Sequence, residues 1–126
     1  MEKRIINTPG APAPIGPYNQ AVLVDGTLYI SGQICMDPAT GELKNSSLQE
    51  EVHQSMQNLK AILAAAGMGF NNVVKTTIFI MDMHRFGEIN EVYGQYFESD
   101  FPARETVQVA ALPKFVNVEI SMIAVQ

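Results

Sequence analysis

Two stretches of the chain place apolar residues at the three- and four-residue spacing of an amphipathic helix. The first stripe covers Leu48–Ala66, and two glycines follow it as stop signals. The second begins after Asp82, a residue type that caps helix N-termini, and continues to about Phe97. Asn90 falls within this second stripe, so we expect its amide to point toward the core.

Six shorter stretches are rich in β-branched residues or alternate apolar with polar positions, as strands do. We predict strands at Arg4–Ile6, Gln20–Val24, Thr27–Gln33, Val73–Met81, Val107–Ala110 and Val116–Ala124. Asp25-Gly26 is a hairpin turn between the second and the third. This order of elements indicates a single α+β domain over residues 1–126, a mixed sheet with two helices packed on one face. Two helices leave the other face uncovered, so we expect self-association to bury it.

The segment Thr8–Pro17 contains four prolines and two glycines in ten residues. Proline has no amide proton and fixes φ, so this segment is neither a regular helix nor a central strand. Several of its other residues are apolar. We therefore predict an ordered loop that packs over the domain and ends at Tyr18.

The chain is acidic, with a net charge of −5 and an isoelectric point of about 4.9. A nucleic-acid-binding surface normally needs clustered lysine and arginine, and only Lys3 and Arg4 are adjacent basic residues. A single cysteine excludes an intrachain disulfide and gives no sign of an oxidising compartment. With no signal-peptide core and no run of membrane-spanning length, we expect a soluble, cytoplasmic protein.

The last two predicted strands carry polar residues at every second position. Arg104, Thr106 and Gln108 share one face of the first, and Glu119 lies in the polar row of the second. We expect the short connection to make the two strands antiparallel neighbours, which places Arg104 and Glu119 on one face of the sheet. The pair is then either a structural salt bridge or a site. In a site, the guanidinium would hold a ligand carboxylate and the glutamate would act as a general base.

Three further polar residues have two interpretations each. Tyr18 is either a core aromatic or a pocket residue, and Ser31 either satisfies a strand end or faces a ligand. Asn90 needs a hydrogen-bond partner, because buried amides are rarely unpaired. The residue types alone do not separate these alternatives.

Metal, nucleotide and covalent-nucleophile chemistry are not expected. His53 and His84 lack metal-ligand spacing, and the glycine motifs that cradle phosphates are absent from the sequence. Cys35 has no histidine close in sequence to activate it, so we interpret it as an inert thiol.

Six groups of motifs occur in order along the whole chain. They are Ile15-Gly16-Pro17-Tyr18, Ser31-Gly32-Gln33-Ile34, Asn90-Glu91-x-Tyr93, Phe97 through Pro102-Ala103-Arg104, Val109-Ala110-x-Leu112-Pro113, and Val118-Glu119-Ile120 with Ile123-Ala124. Each motif alone is weak, but together they are highly specific. With these motifs the chain resembles the Rid (YjgF-type) family of enamine/imine deaminases.

The resemblance implies a chorismate-mutase-like α+β fold. It also implies a homotrimer whose sheets form a central barrel, with three active sites in the clefts between subunits. The implied reaction hydrolyses 2-imino acids, such as 2-iminopropanoate and 2-iminobutanoate, to 2-oxo acids and ammonia without a metal or cofactor. Arg104 would hold the substrate carboxylate, and Glu119 would position or activate the attacking water.

The same resemblance assigns the pocket wall to Tyr18, Ser31 and Asn90, with Gly32 giving access to the backbone. Thr106 also belongs to the implied substrate-binding set, although many members carry a cysteine at this position. Threonine can replace that cysteine if its backbone carbonyl makes the contribution. Two other functions stay open: a trimer that binds small carboxylates without turnover, and an RNA-directed ribonuclease or translation inhibitor.

Overall fold

The computed structural model describes residues 2–126 and contains a single mixed sheet within them. Its strands are β1 (Lys3–Ile6), β2 (Ala21–Val24), β3 (Thr27–Gln33), β4 (Val73–Ile80), β5 (Ala103–Gln108) and β6 (Val118–Val125). The helices are α1 (Leu48–Ala65) and α2 (Phe86–Gly94). The strands lie in the order β1-β2-β3-β6-β4-β5, and the helices pack against the sheet and each other. The predicted α+β fold, a mixed sheet with two helices, is confirmed.

Ser47 caps the N-terminus of helix α1. The Ser47 hydroxyl accepts a hydrogen bond from the Glu50 amide at 3.1 Å. The predicted apolar stripe faces the sheet, and its fully buried members include Val52, Met56, Leu59 and Leu63. Burying each such side chain contributes about 1.5–3 kcal/mol to folding.

Helix α2 is shorter than predicted. Asp82 does cap the segment, but it begins a 3₁₀ turn at Met83–Arg85, and the α-helix starts only at Phe86. The helix ends at Gly94, so Phe97 packs against Phe70 from the following turn. No helix within residues 2–126 has the length and apolarity needed to cross a membrane.

The prediction that the last two strands are neighbours is wrong, because β4 lies between them. β4 pairs in parallel with β5 and antiparallel with β6. Parallel strands need a crossover, and α2 supplies it by carrying the chain from the end of β4 to the start of β5. This crossover leaves β5 at the edge of the sheet, and the chain must then pass β4 before β6 begins.

Arg104 and Glu119 consequently lie on opposite faces of the sheet. Arg104 pairs with Thr76, and the Tyr93 hydroxyl of α2 donates to the Thr76 hydroxyl at 2.9 Å. This contact identifies the helix-covered face. Glu119 pairs with Phe79, three positions from Thr76 along β4, and so lies on the opposite face, which we call the open face.

The apolar rows of β5 and β6 explain the error. Val107 pairs with Phe79 on the open face, whereas Val118 and Ile120 are buried under the helices. Alternation states which residues of one strand share a face, but it does not state which face that is. Aligning the apolar rows of two strands that are not neighbours therefore placed the polar rows together incorrectly.

The open face exposes apolar surface in an isolated chain. Its large apolar side chains that are more than a third exposed include Ile5, Tyr29, Val107 and Val125. A protein that is monomeric in solution rarely leaves much contiguous apolar surface in water. This pattern agrees with the expectation that self-association covers the second face.

Candidate active site

Tyr18, Ser31, Gly32 and Glu119 line one cavity of about 350 Å³. We call these four residues the glutamate cluster. The other walls are formed by Ile15, Ile34 and Pro113. A cavity of this size and mixed polarity is suited to a small organic molecule.

Gly32 leaves the space that the Glu119 side chain occupies. A Cβ atom at residue 32 would lie 2.8 Å from Cδ of Glu119, closer than real side chains approach. The pairing of β3 with β6 also shifts between Ile30 and Gln33, as in a β-bulge. The bulge and the glycine together let the carboxylate lie directly against the β3 backbone.

The segment that carries Tyr18 is tied to β3. The Ser31 hydroxyl donates to the Asn19 carbonyl at 2.6 Å, and the Tyr18 hydroxyl accepts from the Ile15 amide at 3.2 Å. Buried Gln20 holds the preceding loop by donating to the carbonyls of Thr8, Ala11 and Pro12. The proline-rich segment is therefore an ordered loop, as predicted, and it forms one side of the cavity.

The Glu119 carboxyl group is half-buried, and its proton affinity is higher than that of an exposed carboxyl group. Burial raises the pKa of Glu119 above the ordinary carboxyl value, and no charged group within residues 2–126 offsets that effect. A carboxylate with a raised pKa accepts a proton more readily than an exposed one does. The geometry therefore suits a general base that faces a small cavity.

Arg104 lies between α2 and the sheet edge. Its Cζ atom is 5.3 Å from the centre of the Phe86 ring and 5.1 Å from the centre of the Tyr93 ring. Within residues 2–126 the guanidinium forms no ion pair with any acidic side chain. The two rings orient the side chain by cation–π contact, and its N–H groups stay available for a partner.

Two polar atoms near Arg104 are buried without a hydrogen-bond partner among residues 2–126. They are Oδ1 of Asn90 and Oγ1 of Thr106. Asn90 lies on the same side of α2 as Phe86 and Tyr93, and Thr106 points to the same side of β5 as Arg104. We call Asn90, Arg104 and Thr106 the arginine cluster. Because buried polar atoms are normally paired, this cluster is suited to a ligand or a partner that supplies the missing contacts.

Comparisons with known proteins identify the family. The profile of the family described as "Endoribonuclease L-PSP" matches residues 8–126. A human protein named 2-iminobutanoate/2-iminopropanoate deaminase is 54% identical over 124 residues, covering 98% of this chain and 90% of that protein. The chain belongs to the Rid family. The family membership that the sequence motifs predict is thereby confirmed.

Solved structures of Rid relatives have the same fold. YyfA from Yersinia pestis, described as belonging to the conserved Rid protein family, is 44% identical with a TM-score of 0.96 and covers 99% of this chain and 100% of that chain. Escherichia coli TdcF, solved with bound serine, is also 44% identical, with a TM-score of 0.94 and coverage of 98% of both chains. The expected Rid fold is thus confirmed.

The structure of this Rid protein brings its predicted site residues together in two groups, not one. Tyr18, Ser31, Gly32 and Glu119 form the glutamate cluster, and Asn90, Arg104 and Thr106 form the arginine cluster. Phe86 and Tyr93 belong to the apolar stripe of the second predicted helix, and periodicity gave no indication of their contact with Arg104. The available signal was an aromatic helical stripe immediately before the strand that carries a lone arginine.

Cys35 and the two histidines lie outside both clusters of this Rid chain. Burial and the neighbouring Glu51 raise the pKa of the Cys35 thiol to about 12, so it stays protonated and unreactive near neutral pH. His53 hydrogen-bonds a tyrosine hydroxyl, and His84 an aspartate carboxylate. No group of His, Cys, Asp and Glu side chains within residues 2–126 is arranged to hold a metal ion.

Proposed function

We propose that this Rid chain is an enamine/imine deaminase that hydrolyses 2-imino acids, such as 2-iminopropanoate and 2-iminobutanoate, to 2-oxo acids and ammonia. The observation that carries the proposal is the Arg104 guanidinium, oriented by two aromatic rings and without an acidic partner within residues 2–126. A substrate carboxylate is the group that a guanidinium binds through two parallel hydrogen bonds. The name of the human relative supports this reaction.

The active site forms between subunits of a homotrimer. Within one chain the two clusters lie on opposite faces of the sheet, so Arg104 and Glu119 of one chain do not face each other. β5 is an edge strand, which another chain can approach, and the open face offers apolar surface to bury. The arginine cluster of one subunit therefore meets the glutamate cluster of its neighbour, with the sheets closing into a central barrel.

The chemistry needs a fixed imine, a water molecule and a proton acceptor. The water oxygen bonds to the imine carbon as Glu119 accepts one water proton, and the C=N electron pair moves to nitrogen, which takes that proton from Glu119. Glu119 then accepts the hydroxyl proton of the resulting carbinolamine and passes it to the amino group, so that the C–N bond breaks, the C–O bond becomes a carbonyl and ammonia leaves. Arg104 fixes the carboxylate next to the reacting carbon throughout. The imine carbon is already electrophilic, so these steps require no metal or cofactor.

Binding of small carboxylates without turnover is the second candidate function. The similar E. coli protein was solved with bound serine, a small amino acid whose carboxylate suits the same type of guanidinium. Arg104 serves binding and catalysis equally, whereas the proton-accepting role of Glu119 serves catalysis alone. A change at Glu119 therefore separates the two functions.

An RNA-directed activity is a third possibility, because the family description names an endoribonuclease. The net charge of −5 and the isoelectric point of about 4.9 oppose it. RNA binding that is tight and falls steeply with added salt would support it.

Glu119→Gln should lower kcat by about 100-fold or more, because general acid–base catalysis typically contributes 10²–10⁴-fold. Affinity for the 2-oxo acid product should change little, since Arg104 is intact. The measurement is consumption of an imine generated in situ by a dehydratase, together with calorimetry of product binding. An unchanged rate of imine loss would favour the binding function.

The parental rate should fall on acidification as Glu119 becomes protonated, at a pH above the ordinary carboxyl range because burial raises its pKa.

Gly32→Ala should reduce kcat strongly because the new methyl group would displace the Glu119 side chain. Gly94→Ala is the matched control, since a Cβ atom at that helical position meets nothing within 4 Å. The control should retain parental activity and unfold at the same or a slightly higher denaturant concentration. Equal activity of the two variants would show that Glu119 tolerates displacement.

A further inference from the structure

Glu51 is a fully buried carboxylate on α1 that lies outside both clusters. Within residues 2–126 it forms no ion pair with a basic side chain. Its Oε1 atom accepts from the Asn117 backbone amide at 2.9 Å, and its Oε2 atom accepts from the Asn117 side-chain amide at 2.7 Å. The Cys35 thiol also donates to Oε1, at 3.6 Å.

Both partners of Glu51 belong to segments that form the glutamate cluster. Asn117 precedes Glu119 by two residues, and its carbonyl accepts from the Met81 amide at 3.1 Å. Cys35 follows Ile34, which lines the cavity. One carboxylate therefore joins α1 to the start of β6 and to the segment that follows β3.

We propose that Glu51 is a positioning residue that fixes the Glu119 carboxylate in the cavity through Asn117. A buried carboxyl group that loses its donors is very unfavourable, so a shift of the Asn117 segment that breaks these hydrogen bonds is opposed. Catalytic side chains need supporting contacts that hold them to within about 0.5 Å. The inference rests on the proposed imine hydrolysis for the reaction that Glu51 serves.

Glu51→Leu removes both acceptors at similar volume. It should lower kcat about 10- to 100-fold, as expected for a displacement on the order of 1 Å. KM should change less than about twofold, because Arg104 binds the substrate carboxylate from a different part of the fold. Val52→Ala is the control, since Val52 is the adjacent, fully buried residue of α1 and packs only in the apolar core. It should lower stability without lowering kcat when assayed well below its unfolding transition.

A pair of substitutions that exchanges the donor and the acceptor between residues 51 and 117 tests the contact itself. Asn117→Asp alone places two carboxylates against each other and should lose activity. The double variant Glu51→Gln with Asn117→Asp restores a donor facing an acceptor, while the carbonyl of the new glutamine side chain still accepts the backbone amide. It should recover most of the parental kcat. Failure of the double variant to recover, or a Glu51→Leu kcat equal to that of Val52→Ala, would overturn the proposal.

Hydrogen exchange separates this inference from the proposed function. Glu51→Leu should accelerate exchange of the Asn117 backbone amide, measured by mass spectrometry on peptides covering residues 116–120, whereas Val52→Ala should not. If the parental protein hydrolyses no imine, the proposed function fails while the exchange result still tests the Glu51 contact. Unchanged exchange in an active parent would refute the positioning role alone.

Discussion

Arg104→Ala should abolish hydrolysis of 2-imino acids and leave the fold intact. Losing one partner of a buried, hydrogen-bonded charge pair costs about 2–5 kcal/mol or more, and the substrate carboxylate would be that unpaired charge. The folded state loses only its contacts with Phe86 and Tyr93, worth about 0.5–2 kcal/mol, against a typical total of about 5–15 kcal/mol. The measurements are loss of dehydratase-generated imine and the midpoint of denaturant unfolding.

Two substitutions make this result specific. Arg104→Lys keeps the charge but not the planar pair of donors, so its activity should fall between those of the parent and Arg104→Ala. Arg85→Ala removes a guanidinium that already pairs with Glu88 at 2.7 Å, and its activity should equal that of the parent. An Arg104→Ala variant as active as the parent would refute the assigned reaction.

Local signals in the sequence predicted most of the elements correctly. The β3 bounds match, and α1 differs by one residue at its C-terminal end, because a local hairpin turn sets the start of β3 and a local apolar stripe followed by two glycines sets α1. The start of β5 was missed. Ala103–Thr106 pairs with β4 although its own composition gives a weak strand signal, so the partner strand determines its structure.

The strand order could not be predicted from such signals, because it depends on where a crossover helix places the chain. Treating β5 and β6 as neighbours put Arg104 and Glu119 on one face, which favoured a simple salt bridge. Their positions on opposite faces exclude that pair within a chain. Local signals also could not predict the contact between Glu51 and Asn117, because the two residues are 66 positions apart in sequence and come together only in the fold.

The family motifs identified candidate site residues that periodicity alone could not separate from core or strand-end residues. Tyr18, Ser31, Gly32 and Glu119 come from three separate segments, yet one cavity contains all four. The division of the site into two clusters was visible only in the fold, since it depends on which face of the sheet each strand presents. That division gives the trimer proposal a test that does not depend on measuring size.

Mixing the Arg104→Ala and Glu119→Gln variants should restore hydrolysis that both lack separately. In a mixed trimer, a Glu119→Gln subunit supplies an intact Arg104, and an Arg104→Ala neighbour supplies an intact Glu119 to the same cleft. Random assembly gives about a quarter of clefts both intact groups, so about a quarter of parental activity is expected. The two variants are unfolded together, refolded and assayed with dehydratase-generated imine.

This gain of activity can arise only if different chains supply the two groups. If one chain supplied both, every site in the mixture would carry one of the two substitutions, and mixing would restore nothing. Refolding each variant separately and combining the products afterwards is the control, because subunits that do not exchange cannot share a site. Absence of recovered activity, with mixed trimers present by native mass spectrometry, would contradict the inter-subunit site while leaving the roles of Arg104 and Glu119 to their own variants.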